Sequence, residues 1–387
     1  MRRFFKWFFR GLILVGLILL CLALWKRDEL TRLMAVNTLF EQDKIVANFS
    51  NMNAAFLASD VPRGDGPVSD LPTGPDATLP AGADQWIKDR SVTSLLVLKS
   101  GQIVHESYHL GTGPEDRRIS WSVAKSYLSA LFGVLLDEGV IRSLDDQVTE
   151  YAPQLYGSAY DGATLEDVLQ MESGVIFDED YLDYDSDINR MGRVLALGGY
   201  MDNFAAELTA READPGTDWK YVSIDTHVIG MIIRGAAGPG IATMLSEKII
   251  KPLGLEQDPY YITDGGGVAF VLGGLNMTTR DYARFGLMIA QNGVYNGQQV
   301  VPADWIAAST RPSAKTTDTE TGYGYQWWIP LGSDPGQFLA RGIYGQYIYI
   351  DQTRDVVIVT TAADRAFREA GVNDTNVAMF RLIADGL

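Results

Sequence analysis

The first apolar block of the chain is unbroken by charge from Gly11 to Trp25, and Arg2, Arg3, Lys6 and Arg10 stand ahead of it. That charge order belongs to secretory signals and signal anchors. With Arg10 snorkelling toward the headgroups, the apolar stretch runs from Trp7 to Trp25 and approaches the ~20 residues of a membrane span. Leu22-Ala23-Leu24-Trp25-Lys26 is bulky and then basic, so no small-x-small cleavage site follows. Residues 1–30 are therefore predicted to form an uncleaved, single-pass anchor. The basic residues before the span place the amino terminus in the cytoplasm and the bulk of the chain on the periplasmic side of an inner membrane. Lys26, Arg27 and Arg32 beyond the span work against that orientation. Cys21 reads as a small apolar residue within the span, because Leu19-Leu20 ahead of it do not form a lipobox.

Residues 31–85 read as an extended arm or linker, since Asp60 to Asp84 is rich in Pro, Gly, Asp and Ser and shows no sustained period. Thr93–Leu98 and Ile103–His109 are β-rich runs joined by Lys99-Ser100-Gly101-Gln102, which predicts a hairpin. From Ser122 to Glu138, Val123, Tyr127, Ala130, Leu131, Val134 and Leu135 recur at helical spacing and Gly139 supplies a stop. The middle of the chain is mostly helical. Thr164 and Asp167 form a capping-box pattern, and Thr226–Arg234 and Arg280–Asn292 carry the 3.6-residue period. The β signal returns in Gln337–Ala340, Gln346–Ile350 and Val356–Thr361, and Asp374–Ala384 closes as an amphipathic helix. Strands at both ends with helices between them predict an α+β catalytic domain over residues 86–387, one antiparallel sheet interrupted by a helical insertion.

Composition removes several function classes. The 387 residues are 47% hydrophobic, enough for a substantial core, and the net charge of −17 lacks the basic face that neutralises phosphates. No nucleic-acid partner is expected. One cysteine excludes an intramolecular disulfide and a cysteine-rich zinc site, and His105, His109 and His227 are too scattered to suggest a cage. Neither metal nor cofactor is predicted.

Ser122-Val123-Ala124-Lys125 fits S-x-x-K at the start of a buried helix. At i and i+3 the hydroxyl and amine share one helix face, so the lysine can reach the serine proton. A serine becomes a useful nucleophile only when a neighbour removes that proton, and a lysine does so only if burial or nearby charge lowers its pKa. The helix start adds a field that favours negative charge. There is no G-x-S-x-G elbow.

The segment Ile119 to Ser126, followed by Leu136-Asp137-Glu138-Gly139-Val140-Ile141 and Leu144-Asp145-Asp146-Gln147-Val148, resembles the serine β-lactamase and penicillin-binding-protein superfamily. Within it, the chain is most similar to the class C-like branch of esterases and 6-aminohexanoate-dimer hydrolases. Thr164 to Leu169 leading to Ser173-Gly174, Pro215-Gly216-Thr217 leading to Tyr221, Lys251 to Leu255, and Gly273 to Gly286 continue the likeness in order. The resemblance implies a β-lactamase/transpeptidase-like fold, an antiparallel sheet flanked by terminal helices with a large helical insertion. It also implies that Tyr221, in Tyr221-Val222-Ser223, is a general base or proton relay, its pKa lowered by cations such as Lys125. Ala340-Arg341-Gly342 stands where the superfamily has Lys-Thr-Gly or His-x-Gly. Gly342 keeps the small residue beside the substrate, and the amides of Ser122 and Ile343 are the implied oxyanion donors. Asp178 to Asp185 reads as a solvent-facing acidic loop from its charge; by its position in the related hydrolases, it is a substrate-contacting loop in which Tyr181 is the named contact. Trp327 and Trp328 are predicted to wall the acyl pocket or, for one of them, to enter the core.

The expected activity is hydrolysis of a small-molecule ester or linear amide through an acyl-enzyme on Ser122. A β-lactamase or D,D-peptidase acting on peptidoglycan is the first rival, favoured by export and disfavoured by the missing Lys-Thr-Gly. A non-catalytic binding module of the same fold is the second, disfavoured by the intact Ser122, Lys125 and Tyr221.

Overall fold

In the computed structural model, which describes residues 2–238, 240–317 and 321–387, the sheet begins at the predicted hairpin. Strand β1 (Val92–Lys99) turns through Ser100 and Gly101 into β2 (Gln102–Tyr108). Both turn residues take positive φ, 50° and 76°, the handedness that joins strands of right-handed twist. The last third of the chain supplies β3 (Gly322–Tyr323), β4 (Trp328–Ile329), β5 (Gln337–Gly342), β6 (Gln346–Asp351) and β7 (Val356–Ala362). Together they make an antiparallel sheet in the order β2-β1-β7-β6-β5-β4-β3. β1 pairs directly with β7, so the helices between hairpin and β3 are an insertion into one sheet, the α+β arrangement expected.

The helices that position the site are α1 (Arg2–Trp25), α2 (Arg27–Asn37), α3 (Ala124–Asp137), α4 (Asp187–Ala196), α5 (Ser223–Ala237), α6 (Thr279–Ala290) and α7 (Val372–Asp385). α6 and α7 cover opposite faces of the sheet. Gly286 of α6 lies against Ile348 and Val357, whereas Phe380 of α7 packs on Tyr347 and Tyr349, which alternate to the other side of β6. α3 is buried along almost its whole length, and α5 lies beside it in the helical insertion. The capping box forms as predicted: Thr164 N donates to Asp167 Oδ2 at 2.8 Å and Asp167 N to Thr164 Oγ1 at 3.2 Å.

Residues 31–85 depart from the extended arm that their composition predicts. The segment starts inside α2, continues through helices Ile45–Phe49 and Met52–Ala55, and adds strand Leu57–Asp60, which pairs with Tyr260–Thr263 in a second, four-stranded sheet. Leu39, Ile45, Phe49, Met52 and Phe56 enter the core, and that apolar burial outweighs the polar, breaker-rich composition of the part that follows. The stretch from Val61 to Gly82 has no helix, yet it is tied down: Ser69 N donates to Gly254 O at 2.8 Å, and buried Arg284 donates to Ser69 O at 2.7 and 3.0 Å. α1 is long and apolar enough to cross a membrane from Phe4 to Trp25, and none of its most apolar window is buried against the protein.

Candidate active site

A single 3-10 turn, Trp121–Val123, leads into α3 and carries Ser122 at the helix start. Trp121 just before it has φ of 42°, a left-handed conformation that is sparsely populated by a bulky residue and is typical of functional turns. Surrounding rings hold it there. Trp121 packs edge-on against Phe49 at 5.5 Å, and Phe40 stacks on Tyr344 at 5.1 Å, so the segment after α2 braces both the serine turn and the turn after β5.

Lys125 is the second residue of α3, one turn on from Ser122, and is buried. Its Nζ is 2.7 Å from Leu272 O and 3.3 Å from each of Ser122 Oγ and Ser223 Oγ. The carbonyl can only accept. Ser223 Oγ already donates its hydrogen to Glu179 Oε1, so it too accepts from Lys125. As an ammonium, Lys125 donates to all three; as a neutral amine it donates to Leu272 O and Ser223 Oγ and turns its lone pair to the Ser122 hydroxyl. Burial brings the Lys125 pKa down to about 7, with the Glu179 and Asp225 carboxylates opposing the shift.

Tyr221 is in hydrogen-bonding reach of Ser122 and Ser223, and Lys125 Nζ is 5.5 Å from its ring centroid. Its pKa is raised, by burial first and then by Glu179, against smaller opposing contributions from Ser122 and Arg341. This corrects the expectation that nearby cations lower it: a buried phenol loses more by ionising next to a carboxylate than the neighbouring guanidinium returns. Tyr221 therefore keeps its proton in the resting state.

Glu179 was not singled out from the sequence. Its Oε2 accepts from Ser223 N at 2.9 Å, capping α5, while Oε1 accepts from Tyr181 Oη at 2.6 Å. The acidic loop is thus divided: Asp183 and Asp185 are exposed, and Glu179 and Tyr181 turn inward. No signal in a run of alternating acids and tyrosines distinguishes the inward members. Asp225 was also missed. It is wholly buried on α5, accepts from Ser173 Oγ at 2.7 Å and Tyr160 Oη at 2.8 Å, and burial raises its pKa to about 7.

The end of β5 meets the serine turn. A Cβ built on Gly342 would lie 2.5 Å from Ser120 O and 3.1 Å from Ser122 N, so only glycine lets the strand approach this closely. Ile343 follows, and it lines two chambers that meet at Ser122. One, between α2 and α4, is apolar and holds about 360 Å³. The other is more polar and is lined by Glu179, Tyr221, Trp328, Arg341 and Arg368. Tyr181 borders both. Of the two tryptophans, Trp328 faces the polar chamber with the Arg341 guanidinium 3.7 Å from its ring, whereas Trp327 is core, packed edge-on against Phe338 at 5.3 Å and stacked with Phe285. Strand alternation allows only one of two adjacent side chains into the site. Ala340 is buried, and Arg341 supplies the cation that reaches the chamber. Among the described residues no group of three or more His, Cys, Asp or Glu side chains is arranged to hold a metal ion.

Comparison with known proteins agrees with this geometry. Residues 83–379 match the Beta-lactamase family. The chain is 32% identical over 297 residues to the 6-aminohexanoate-dimer hydrolase of Paenarthrobacter ureafaciens, covering 73% of this chain and 75% of that one. A solved structure of a candidate 6-aminohexanoate-dimer hydrolase from Bacillus anthracis superposes with a TM-score of 0.78 at 25% identity, covering 89% of this chain and 95% of the other. A penicillin-binding protein homologue from Pyrococcus abyssi shares the fold, with a TM-score of 0.60 at 18% identity over 77% of this chain and 76% of its own. The match spans the hairpin, the S-x-x-K helix, the helical insertion and the returning strands, so the chain belongs to the Beta-lactamase family and is a serine hydrolase with its fold.

Proposed function

We propose that the protein hydrolyses esters or linear amides of small molecules through an acyl-enzyme on Ser122, and that residues 1–30 anchor it in an inner membrane with the catalytic domain outside the cytoplasm. The observation that carries the chemistry is the buried Lys125 Nζ 3.3 Å from Ser122 Oγ, in surroundings that bring its pKa down to about 7. The neutral amine takes the serine proton as Ser122 Oγ attacks the substrate carbonyl. The amides of Ser122 and Ile343 receive the developing oxyanion, where preorganised donors are worth several kcal/mol. Tyr221 passes a proton to the leaving atom and is restored by Lys125. Water then attacks the acyl carbonyl, giving its proton to Lys125, which passes it to Ser122 Oγ as the acyl–oxygen bond breaks and the acid leaves. The basic residues Arg2, Arg3, Lys6 and Arg10 ahead of the apolar run and the apolar length of α1 support the anchored topology.

Substrate class follows from β5. Lactam-recognising relatives hold the substrate carboxylate with a cation and hydroxyl at the position of Ala340-Arg341; here Ala340 brings neither and the Arg341 guanidinium is engaged with the Trp328 ring, which weakens a charge-assisted bond worth about 1.5–3 kcal/mol, roughly 10- to 150-fold. An uncharged ester needs only the serine and the two amides. A panel of p-nitrophenyl acetate, the 6-aminohexanoate linear dimer and nitrocefin tests this reading. The expected result is ready turnover of the acetate and little or none of nitrocefin. A kcat/KM for nitrocefin above that for the acetate would replace it with the β-lactamase or D,D-peptidase reading.

A further inference from the structure

The two chambers at Ser122 differ in chemistry, and the proton path decides which half of a substrate enters each. The leaving atom must touch the group that protonates it. Tyr221 lines the polar chamber and not the apolar one, so the leaving group lies with Arg341 and Arg368 and the acyl group points the other way. We propose that the apolar chamber between α2 and α4 binds a linear acyl chain of medium length or longer, drawn from an amphiphile in the membrane beside which α2 begins. This rests on the acyl-enzyme and anchor readings and narrows their substrate.

Leu33 and Val36 of α2 and Met191 and Leu195 of α4 form the facing walls, and Phe270 and Leu272 the floor beside Ser122. Among the described lining residues Arg193 is the one charged group, and its guanidinium sits 4.1 Å from the Tyr184 ring and donates to Tyr184 O at 2.6 Å. It is already engaged at the rim. At the mouth, Leu182 is 81% exposed and Tyr184 69%, alternating with the exposed Asp183 and Asp185. Large apolar side chains left in solvent around one opening mark a surface that meets another apolar phase. Only Lys26 separates α2 from the helix that is long enough to span a membrane, so the α2 wall and the span are one continuous stretch of chain.

Burying one methylene is worth about a fourfold change in affinity, which sets the readout. Full-length enzyme in phosphatidylcholine vesicles is assayed with p-nitrophenyl acetate, butyrate, hexanoate, octanoate and decanoate. kcat/KM is expected to rise about fourfold per methylene at most, by about 100-fold or more in total, and to level off when the chamber is full. Leu33→Glu should cut the octanoate-to-acetate ratio by about tenfold or more, and Val36→Trp should move the plateau to shorter chains, which keeps the test open if the charged variant does not fold. A flat or falling series in an enzyme that turns over acetate overturns the chain chamber while leaving the acyl-enzyme in place. No turnover of any ester and no fluorophosphonate adduct on Ser122 overturns both. Dioctanoylglycerol embedded in the same vesicles distinguishes the source: its hydrolysis supports delivery from the membrane, and its inertness beside a rapid octanoate ester overturns that part of the proposal.

Discussion

At the scale of residues, the chemistry turns on Lys125 being neutral when buried. With its pKa near 7, kcat/KM on an ester should rise with pH and level off above about 7. Stability follows the same direction. Between about 7 and the ordinary 10.5 the unfolded chain carries a proton on this lysine that the folded chain lacks, so its contribution improves with pH across that window and is least favourable below it. Asp225 acts oppositely: its pKa rises from 3.8 to about 7, so the folded chain holds the extra proton and stability falls as pH climbs between those values. Lys125→Met should therefore lower kcat by about 10²–10⁴-fold without lowering the melting temperature, and should melt higher than the native protein at pH 6. Near-normal kcat in that variant would show that the amine is not the proton acceptor. Ser122 and Lys125 were legible because i, i+3 spacing on a helix is a local property. Glu179 and Ser223 were not, since their partnership joins a loop to a helix start more than forty residues later and leaves no spacing to read.

Among the elements, the contact of β5 with the start of α3 matters most, because it sets the separation of the Ser122 and Ile343 amides, the proposed oxyanion donors. Gly342→Val would place a Cβ within 2.5 Å of Ser120 O and push the strand away. The expected result is a loss of about 10²–10³-fold in kcat, the scale of one displaced oxyanion donor, with a modest fall in melting temperature. Steady-state kinetics beside thermal melts check it, and unchanged kcat would mean that the oxyanion is held elsewhere. The hairpin, the α3 helix and the Thr164 capping box were legible from turn chemistry, period and cap residues. The helices between residues 31 and 56 were obscured by the Pro- and Gly-rich composition that follows them. Their signal was present in Ile45, Phe49 and Met52, spaced at i, i+4 and i+7, which all point into the core. The second sheet was out of reach, because strands of two to four residues are too short to show a period.

For the whole molecule, the architecture was legible because strong β runs at both ends with helices between allow few arrangements. How the segment after α1 folds over the site was not, since that depends on aromatic contacts between residues far apart in sequence, such as Phe40 with Tyr344. The anchor reading predicts that full-length protein sediments with membranes, resists high salt and is released by detergent. Release by salt alone, or a new amino terminus after expression, would contradict it. The claim on which everything else depends is a covalent intermediate on one serine. Intact mass spectrometry of the full-length protein after a fluorophosphonate probe tests it most directly. The account predicts a single adduct mapped to Ser122, absent from Ser122→Ala protein of unchanged melting temperature; an adduct that persists in that variant would contradict it.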